Sequence, residues 1–310
     1  MKILIIGGGR MGLARAGWLA KEGGCDVLIL EPDESVRAQF LAQVPRSSCV
    51  DNVQSATLLG ARAAVVSVPP AYHHRNARQC LEQGLHVLIE KPSTLEQDEG
   101  IELARIAKDR NLLAVVGYHN RVRSSVVALK RYLEDNHVIG FVAWWVCGVY
   151  ARDWWMRRDL SGGGFFEQGC HFVDLLHFLF GRLDLAGGIV ERQKGSTAES
   201  ASLRLSSERG HAGVFFYSSL ASNKDISLRI FTPSSVAQLE GWNLDFLLDG
   251  KRVEAGAKTE NRNEAFDLEC MEFLGRIRGQ TARLPLATLD DAIFAERLVR
   301  GIQFHERSLV

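Results

Sequence analysis

The sequence predicts an α/β chain in two parts. Residues 1–120 read as a doubly wound, parallel sheet, and residues 121–310 as an α+β domain with an open, largely antiparallel sheet. Three observations predict this. Up to about residue 120, short apolar runs alternate with helical stretches of about ten to fifteen residues. A glycine-rich turn follows the first apolar run directly. Beyond residue 120, strand-like runs succeed one another with few helices between them, and two long helical patterns follow.

The first run, Lys2-Ile3-Leu4-Ile5-Ile6, is short and apolar, as a strand buried on both faces requires. It leads into Gly7-Gly8-Gly9-Arg10-Met11-Gly12, where Gly7, Gly9 and Gly12 satisfy G-x-G-x-x-G. Gly7 permits a tight turn, Gly9 lets the backbone approach a pyrophosphate, and Gly12 lets the next helix pack on the strand. That helix is predicted over residues 10–22, with Met11, Ala14, Trp18 and Leu19 on one face. Its first-turn N–H groups can hold phosphates. Residues 27–30 read as a second strand ending at Glu31, nineteen residues past Gly12. That is the spacing of an acid that binds an adenosine ribose 2′-hydroxyl.

A third strand, residues 63–68, runs into Pro69-Pro70, and Tyr72-His73-His74 opens a helix to about Gln83 with Gly84 as its C-cap. The strand His86-Val87-Leu88-Ile89 then ends at Glu90-Lys91-Pro92. A lysine at the carboxyl end of a parallel strand lies where open α/β sheets bind ligands, and the proline turns the chain sharply. Lys91 is therefore expected beside a nicotinamide ring. A helix over residues 95–109 and a strand over residues 112–116 precede Gly117-Tyr118-His119-Asn120-Arg121.

In the second part, residues 126–133 read as a helix and residues 140–149 as a strand. Further strands are expected over 186–193, 200–206, 212–219, 226–231, 236–240 and 244–248, and helices over 263–278 and 290–308. The chemical cluster here is Gly162-Gly163-Gly164-Phe165-Phe166-Glu167-Gln168-Gly169-Cys170-His171-Phe172-Val173-Asp174. A helix over 166–180 places Glu167, His171 and Asp174 at i, i+4 and i+7, on one face. Its C-terminal part is strongly apolar, so these polar groups need partners. A substrate hydroxyl is one such partner, and a core network is the alternative. Just upstream, Arg121, Tyr150, Arg152, Trp154, Trp155 and Arg157 form a candidate pocket group. The aromatics can stack on a sugar face and the arginines can bind a carboxylate or phosphate. Ordinary packing is the competing reading. His171 and His177 are six residues apart and point about 240° apart around a helix, so no metal is expected.

Hydrophobic residues make up 46% of the 310 and charged residues 24%, as in a globular enzyme. With 37 basic and 37 acidic residues and no basic stripe, nucleic acid is an improbable partner. No apolar stretch approaches a membrane span, and the first strand begins without a signal-like segment. The six cysteines lack C-x-x-C spacing, which fits reduced thiols in a cytoplasm.

Taken together these residues resemble the glucose–fructose oxidoreductase / inositol dehydrogenase (Gfo/Idh/MocA) family over nearly the whole chain. The glycine turn, Pro69…His73, Gly84 to Pro92, Val116-Gly117-Tyr118 and GGG…E-x-G-x-H-x-x-D carry the likeness. It implies a Rossmann domain, then a domain whose open sheet makes homodimer or homotetramer contacts. It implies a nicotinamide cofactor and a sugar, cyclitol or related polyol as substrate. The cofactor group is then Gly7, Gly9, Arg10, Met11, Gly12, Glu31, Pro69, His73, Glu90 and Lys91, with NAD favoured over NADP by Glu31. The catalytic group maps onto Lys91, Glu167 and His171; the residues themselves, not the resemblance, offer Arg121, Tyr150, Arg152, Trp155 and Asp174 for the substrate side. Many members carry Asp where Glu167 stands, and Glu adds a methylene.

Such a reaction removes a proton from oxygen and a hydride from carbon. His171 is the expected proton acceptor and Lys91 the group that stabilises the alkoxide. Glu167 is expected to position the polyol or to hold His171 and Lys91 in register, and Asp174 to contact substrate or orient His171. A glycosidase that recycles bound NAD and a non-enzymatic nicotinamide sensor are the alternatives. A sensor needs no proton relay, so Lys91, Glu167 and His171 speak against it.

Overall fold

The apolar runs of the first part become strands with covered faces, and those of the second part alternate between a covered and an open face. The structure, a computed structural model, describes residues 1–193, 196–254 and 262–307. In chain order the elements are β1 (Lys2–Ile6), α1 (Arg10–Lys21), β2 (Asp26–Leu30), α2 (Glu34–Gln43), β3 (Ser47–Cys49), α3 (Val53–Leu58), β4 (Ala61–Val66), α4 (His73–Glu82), β5 (His86–Ile89), α5 (Gln97–Asp109) and β6 (Ala114–Val116). Next come α6 (Ser124–Asp135), β7 (Gly140–Val146), α7 (Asp153–Met156), α8 (Arg158–Ser161), α9 (Gly164–Phe180), β8 (Leu183–Gln193), β9 (Glu199–Ser207), β10 (Ala212–Ser218), β11 (Asp225–Phe231), β12 (Val236–Glu240), β13 (Asp245–Leu248) and β14 (Lys251–Arg252). The last are α10 (Arg262–Ile277), β15 (Ala287–Thr288), α11 (Leu289–Arg300) and β16 (Gln303–Arg307).

One unit comprises Met1–His119 with Asn263–Ile293. Its sheet has the order β15-β6-β5-β4-β1-β2-β3, parallel except for the β15–β6 pair. Ile3, Leu4 and Ile5 of β1 are fully buried, which is why that strand carries no polar alternation. The division at residue 120 leaves residues 263–293 with the second part, whereas here they join the first unit. The two-residue strand β15 pairs with β6, and α10 surrounds a buried arginine of α1. The buried face of α1 also differs from the expected one. It consists of Gly12, Arg15, Ala16, Leu19 and Ala20, while Met11, Ala14 and Trp18 are only half-buried. The phase is set by Gly12, where a Cβ would collide with the Gly7 carbonyl oxygen.

The other unit comprises Asn120–Arg262 with Phe294–Val310. Its nine strands run β14-β13-β12-β11-β7-β10-β9-β8-β16. The pairs β7–β10 and β8–β16 are parallel and the rest antiparallel. The side chains of β7, β9 and β10 alternate, and α9 covers one face. Phe172 of α9 stacks on Phe215 at 5.2 Å, and Phe180 stacks on Phe141 at 4.4 Å. Val142, Val214, Phe216 and Phe231 stay exposed. The helix expected over 290–308 stops at Arg300. Residues 303–307 instead pair in parallel with β8, a long-range pairing that local periodicity does not report, and Ser308 lies outside the described residues.

Candidate functional site

Register builds the candidate site of the first unit. Ile6 lies opposite both Leu30 and Val66, and Val66 opposite Ile89. The chain therefore leaves β1, β2, β4 and β5 at one edge, through Gly7, Glu31, Ser67 and Glu90. Strand order reverses between β1 and β4, and such a switch point is where open α/β sheets bind ligands. Gly7 has φ +95° and a Cβ there would lie 2.7 Å from the Ser67 carbonyl oxygen. At Gly9 a Cβ would meet nothing within 4 Å, so the backbone is open to an incoming group. Gly9 caps α1 without any side-chain hydrogen bond to the first-turn N–H groups. Glu31 is fixed at the same turn, for its Oε2 accepts from the Gly8 N–H at 2.8 Å and its Oε1 from the Asp33 N–H at 2.9 Å.

An open cradle at Gly9, uncapped amides and an immobilised acid fit a dinucleotide. Gly7, Gly9 and Gly12 with the first turn of α1, exposed Arg10 and half-buried Met11, would hold its phosphates, and Glu31 a ribose. Arg37 lies six residues beyond Glu31, in α2. Its Nη1 donates to the Glu31 carbonyl oxygen at 2.8 Å, which sets a cation near the acid.

The turn after β5 is held from two sides. Arg15 is fully buried, yet it carries a charge. Its Nε donates to Glu90 Oε1 at 2.7 Å, its Nη2 to Glu269 Oε2 at 2.6 Å and its Nη1 to Cys270 Sγ at 3.6 Å. Burial opposes the charged guanidinium, but Glu90, Glu269 and Cys270 outweigh it and raise its pKa. The Cys270 thiol is pushed up to about 11 by burial, with Arg15 pulling the other way. Removing one partner of such a buried pair costs about 3–5 kcal/mol.

On the other side, buried His73 places Nδ1 2.7 Å from the Pro92 carbonyl oxygen and Nε2 2.7 Å from the Val68 carbonyl oxygen. Burial holds its pKa below the usual imidazole range, against the pull of the two carbonyls and Glu90. His73 thus joins the chain after β4 to the chain after β5. Pro69 precedes the short 3₁₀ turn Pro70–Tyr72 that leads into α4. Lys91, half-buried, lies between the two held residues Glu90 and Pro92.

The second unit carries its own candidate group, on α9. Gly163 has φ +103°, and at Gly164 a Cβ would lie 3.0 Å from the Trp155 ring, so both positions need glycine. The N-terminus of α9 is fixed by buried Glu199, whose Oε2 accepts from the Phe165 N–H at 2.7 Å. Glu199 Oε1 accepts from Arg158 at 2.8 Å and Arg192 at 2.9 Å. Glu167, His171 and Asp174 are all buried on this helix. His171 stacks on Trp145 with ring centroids 6.1 Å apart and planes 9° apart.

The expected pocket residues divide. Trp155 is fully buried and its Nε1 donates to Glu167 Oε2 at 2.9 Å. A ring so buried cannot offer a face to a sugar, so this residue is corrected from a stacking surface to a support for Glu167. Arg121 forks onto Asp174, with Nε 2.9 Å from Oδ2 and Nη2 2.7 Å from Oδ1. The two candidates thus engage each other in the interior. Tyr150 lies edge-on to Trp154 and Trp155, and exposed Arg152 lies over its ring at 5.8 Å. Among the described residues no group of three His, Cys, Asp or Glu side chains could hold a metal ion. Sequence reasoning missed Arg15, Glu199 and Glu269. Arg15 had one signal, its place three residues after Gly12 on the same helical stripe.

Residues 1–118 match the model of an oxidoreductase family with an NAD-binding Rossmann fold, GFO/IDH/MocA, and residues 136–233 match that of the GFO/IDH/MocA C-terminal domain. The chain belongs to the GFO/IDH/MocA family. It is 23% identical to the scyllo-inositol 2-dehydrogenase (NADP(+)) IolW of Bacillus subtilis, over 69% of this chain and 60% of that one. It is 25% identical to the D-glucoside 3-dehydrogenase of Escherichia coli, over 58% of this chain and 54% of that one. The matches thus span less than two thirds of these relatives. Among solved structures, UDP-N-acetylglucosamine 3-dehydrogenase GnnA from Acidithiobacillus ferrooxidans superposes with a TM-score of 0.82 at 19% identity, covering 97% of this chain and 96% of that one. Levoglucosan dehydrogenase in complex with NADH superposes with a TM-score of 0.84 at 15% identity, covering 97% and 95%. These likenesses show the fold.

Proposed function

We propose that this GFO/IDH/MocA member moves a hydride between a nicotinamide cofactor and a secondary alcohol or ketone of a sugar, cyclitol or related polyol. The observation that carries it is one sheet edge holding the open glycine turn, the fixed acid Glu31 and, after β5, Lys91. The inositol, glucoside and levoglucosan activities named for relatives and neighbours support the substrate class. The bound cofactor supplies the hydride acceptor or donor. Lys91 hydrogen-bonds the reacting oxygen and stabilises its developing negative charge. His171 takes the hydroxyl proton, and Glu167, held by Trp155, positions the polyol. Glu31 favours NAD over NADP.

The exposed apolar face of β7, β10 and β11 is assigned to contacts with further copies of the chain, readable as a dimer or tetramer by sedimentation. Among the described residues no helix is long and apolar enough to cross a membrane. A cytoplasmic location is proposed on the six free cysteines. The decisive experiment incubates the purified protein with NAD or NADP and a panel of cyclitols and sugars, and follows reduced nicotinamide by absorbance. Turnover on at least one polyol is expected, and Lys91→Met should lower it about 10²–10³-fold while preserving dinucleotide binding. Undiminished turnover in that variant refutes the assignment of Lys91. A net glycosidic product without accumulated reduced cofactor would point instead to recycling chemistry.

A further inference from the structure

We infer that Arg15 is a positioning residue for Lys91, and that it ties the lysine-bearing turn to helix α10. The inference rests on the role assigned to Lys91 above. Arg15 extends one fork from α1 to two carboxylates far apart in sequence, Glu90 at 2.7 Å and Glu269 at 2.6 Å. All three side chains are buried, with Arg15 at 0%, Glu90 at 10% and Glu269 at 1% exposure. The guanidinium also lies 5.4 Å from the ring of Phe266, again on α10.

Stability alone is a poor reason for this cluster. Buried ion pairs are often matched or bettered by apolar residues of similar volume. What a planar guanidinium delivers that an apolar side chain cannot is direction, because its donors sit in a rigid fork. Here the fork fixes the Glu90 carboxylate, while the Glu90 N–H is tied to the Val66 carbonyl oxygen at 2.9 Å. Glu90 is thus held by backbone and side chain together. One planar peptide unit later comes Lys91, so the orientation passes directly to its Cα. Beyond it, the Pro92 carbonyl meets His73. Lys91 is therefore the half-buried residue of a turn whose two neighbours are both immobilised. A lysine at position 15 would keep the charge but, as a point donor on a flexible stem, would lose the rigid fork that fixes the direction of the Glu90 carboxylate.

The test is a double-mutant cycle between Arg15→Lys and Lys91→Met on the full chain. Turnover, KM for the polyol and dinucleotide Kd are measured, with folding followed by thermal melting. Arg15→Lys should lower kcat about tenfold or more, with dinucleotide Kd changed less than about threefold. In the Lys91→Met background it should cost nothing further, since the lysine it serves is gone. A merely structural arginine would cost the same factor in both backgrounds, and that result, or wild-type kcat in Arg15→Lys, overturns the inference. If Arg15→Lys does not fold, the charge-free variant Arg15→Met/Glu90→Gln/Glu269→Met takes its place. It should bind dinucleotide yet turn over at least about tenfold more slowly, again only when Lys91 is present. Wild-type kcat in Lys91→Met alone is a separate result. It removes the reading of the site, and the inference with it.

Discussion

The indole N–H of Trp155 donates to Glu167 Oε2 at 2.9 Å, and both residues are buried. The donor comes from the short helix α7 and the acceptor from the first turn of α9. Trp155→Phe keeps most of the ring and removes the donor. It should cost about 1–3 kcal/mol in a urea melt, the penalty of a buried acceptor left short of a partner. Turnover should fall about tenfold, equivalent to about 1.4 kcal/mol. Unchanged turnover in a folded variant would show that Glu167 needs no help from the indole.

His171→Ala should lower kcat by about 10²–10⁴-fold, the usual contribution of a general base. A pH–rate profile of unchanged shape would assign the proton to another group. Circular dichroism separates this from loss of the stacked contact with Trp145.

Glu31 should make the protein prefer NAD. A 2′-phosphate about 5 Å from its carboxylate, at an effective dielectric of about 20, is repelled by roughly 3 kcal/mol, about a hundredfold in affinity. Arg37 works the other way, but its Nη1 is engaged by the Glu31 and Pro32 carbonyls at 2.8 and 3.4 Å. Titration of both cofactors should show tighter NAD binding by wild type and a narrowed ratio in Glu31→Ser. Tighter NADP binding by wild type would make Arg37 the dominant group.

His73 should make stability fall in acid. Burial depresses its folded pKa, so its contribution is present above the unfolded value near ~6.5 and is lost as pH falls through the lower folded value. Glu90 and the two carbonyls soften the effect, while Lys91 adds to it. Burial also lowers the pKa of His86 and His211, so the wild-type slope is shared. His73→Asn should therefore be less stable at neutral pH yet lose less stability between about pH 7 and 5. Parallel urea melts at the two pH values read the difference, and equal slopes would remove His73 from the acid transition.

The parts of the candidate site that were legible in the sequence are those written in consecutive residues. Gly7 to Gly12, the strand ending at Glu31, Glu90-Lys91-Pro92 and the Glu167-His171-Asp174 stripe each fit within one element and its turn. What escaped depends on distant partners. Arg15 looks like a solvent-facing residue until Glu269, 254 positions away, supplies its counter-charge. Residues 303–307 look helical until β8 offers an edge, and β15 is too short to carry any periodicity. Trp155 has the composition of a sugar-stacking ring, and only its burial reveals the service to Glu167.

Gly117 packs beside the Arg15–Glu90 pair, where a Cβ would lie 2.8 Å from Arg15 Nη2 and 3.2 Å from Glu90 Oε2. The two positions are consequently linked as mutational neighbours although they stand 102 residues apart in the chain. With arginine at 15, a Cβ at 117 requires the buried guanidinium to shift; with a smaller residue at 15, the nearest obstruction becomes Glu90 Oε2 at 3.2 Å. Saturation libraries built at 117 alone and at 15 and 117 together should thus yield different survivors. Any thermostabilising redesign that replaces glycines outside turns has to treat this one as reserved.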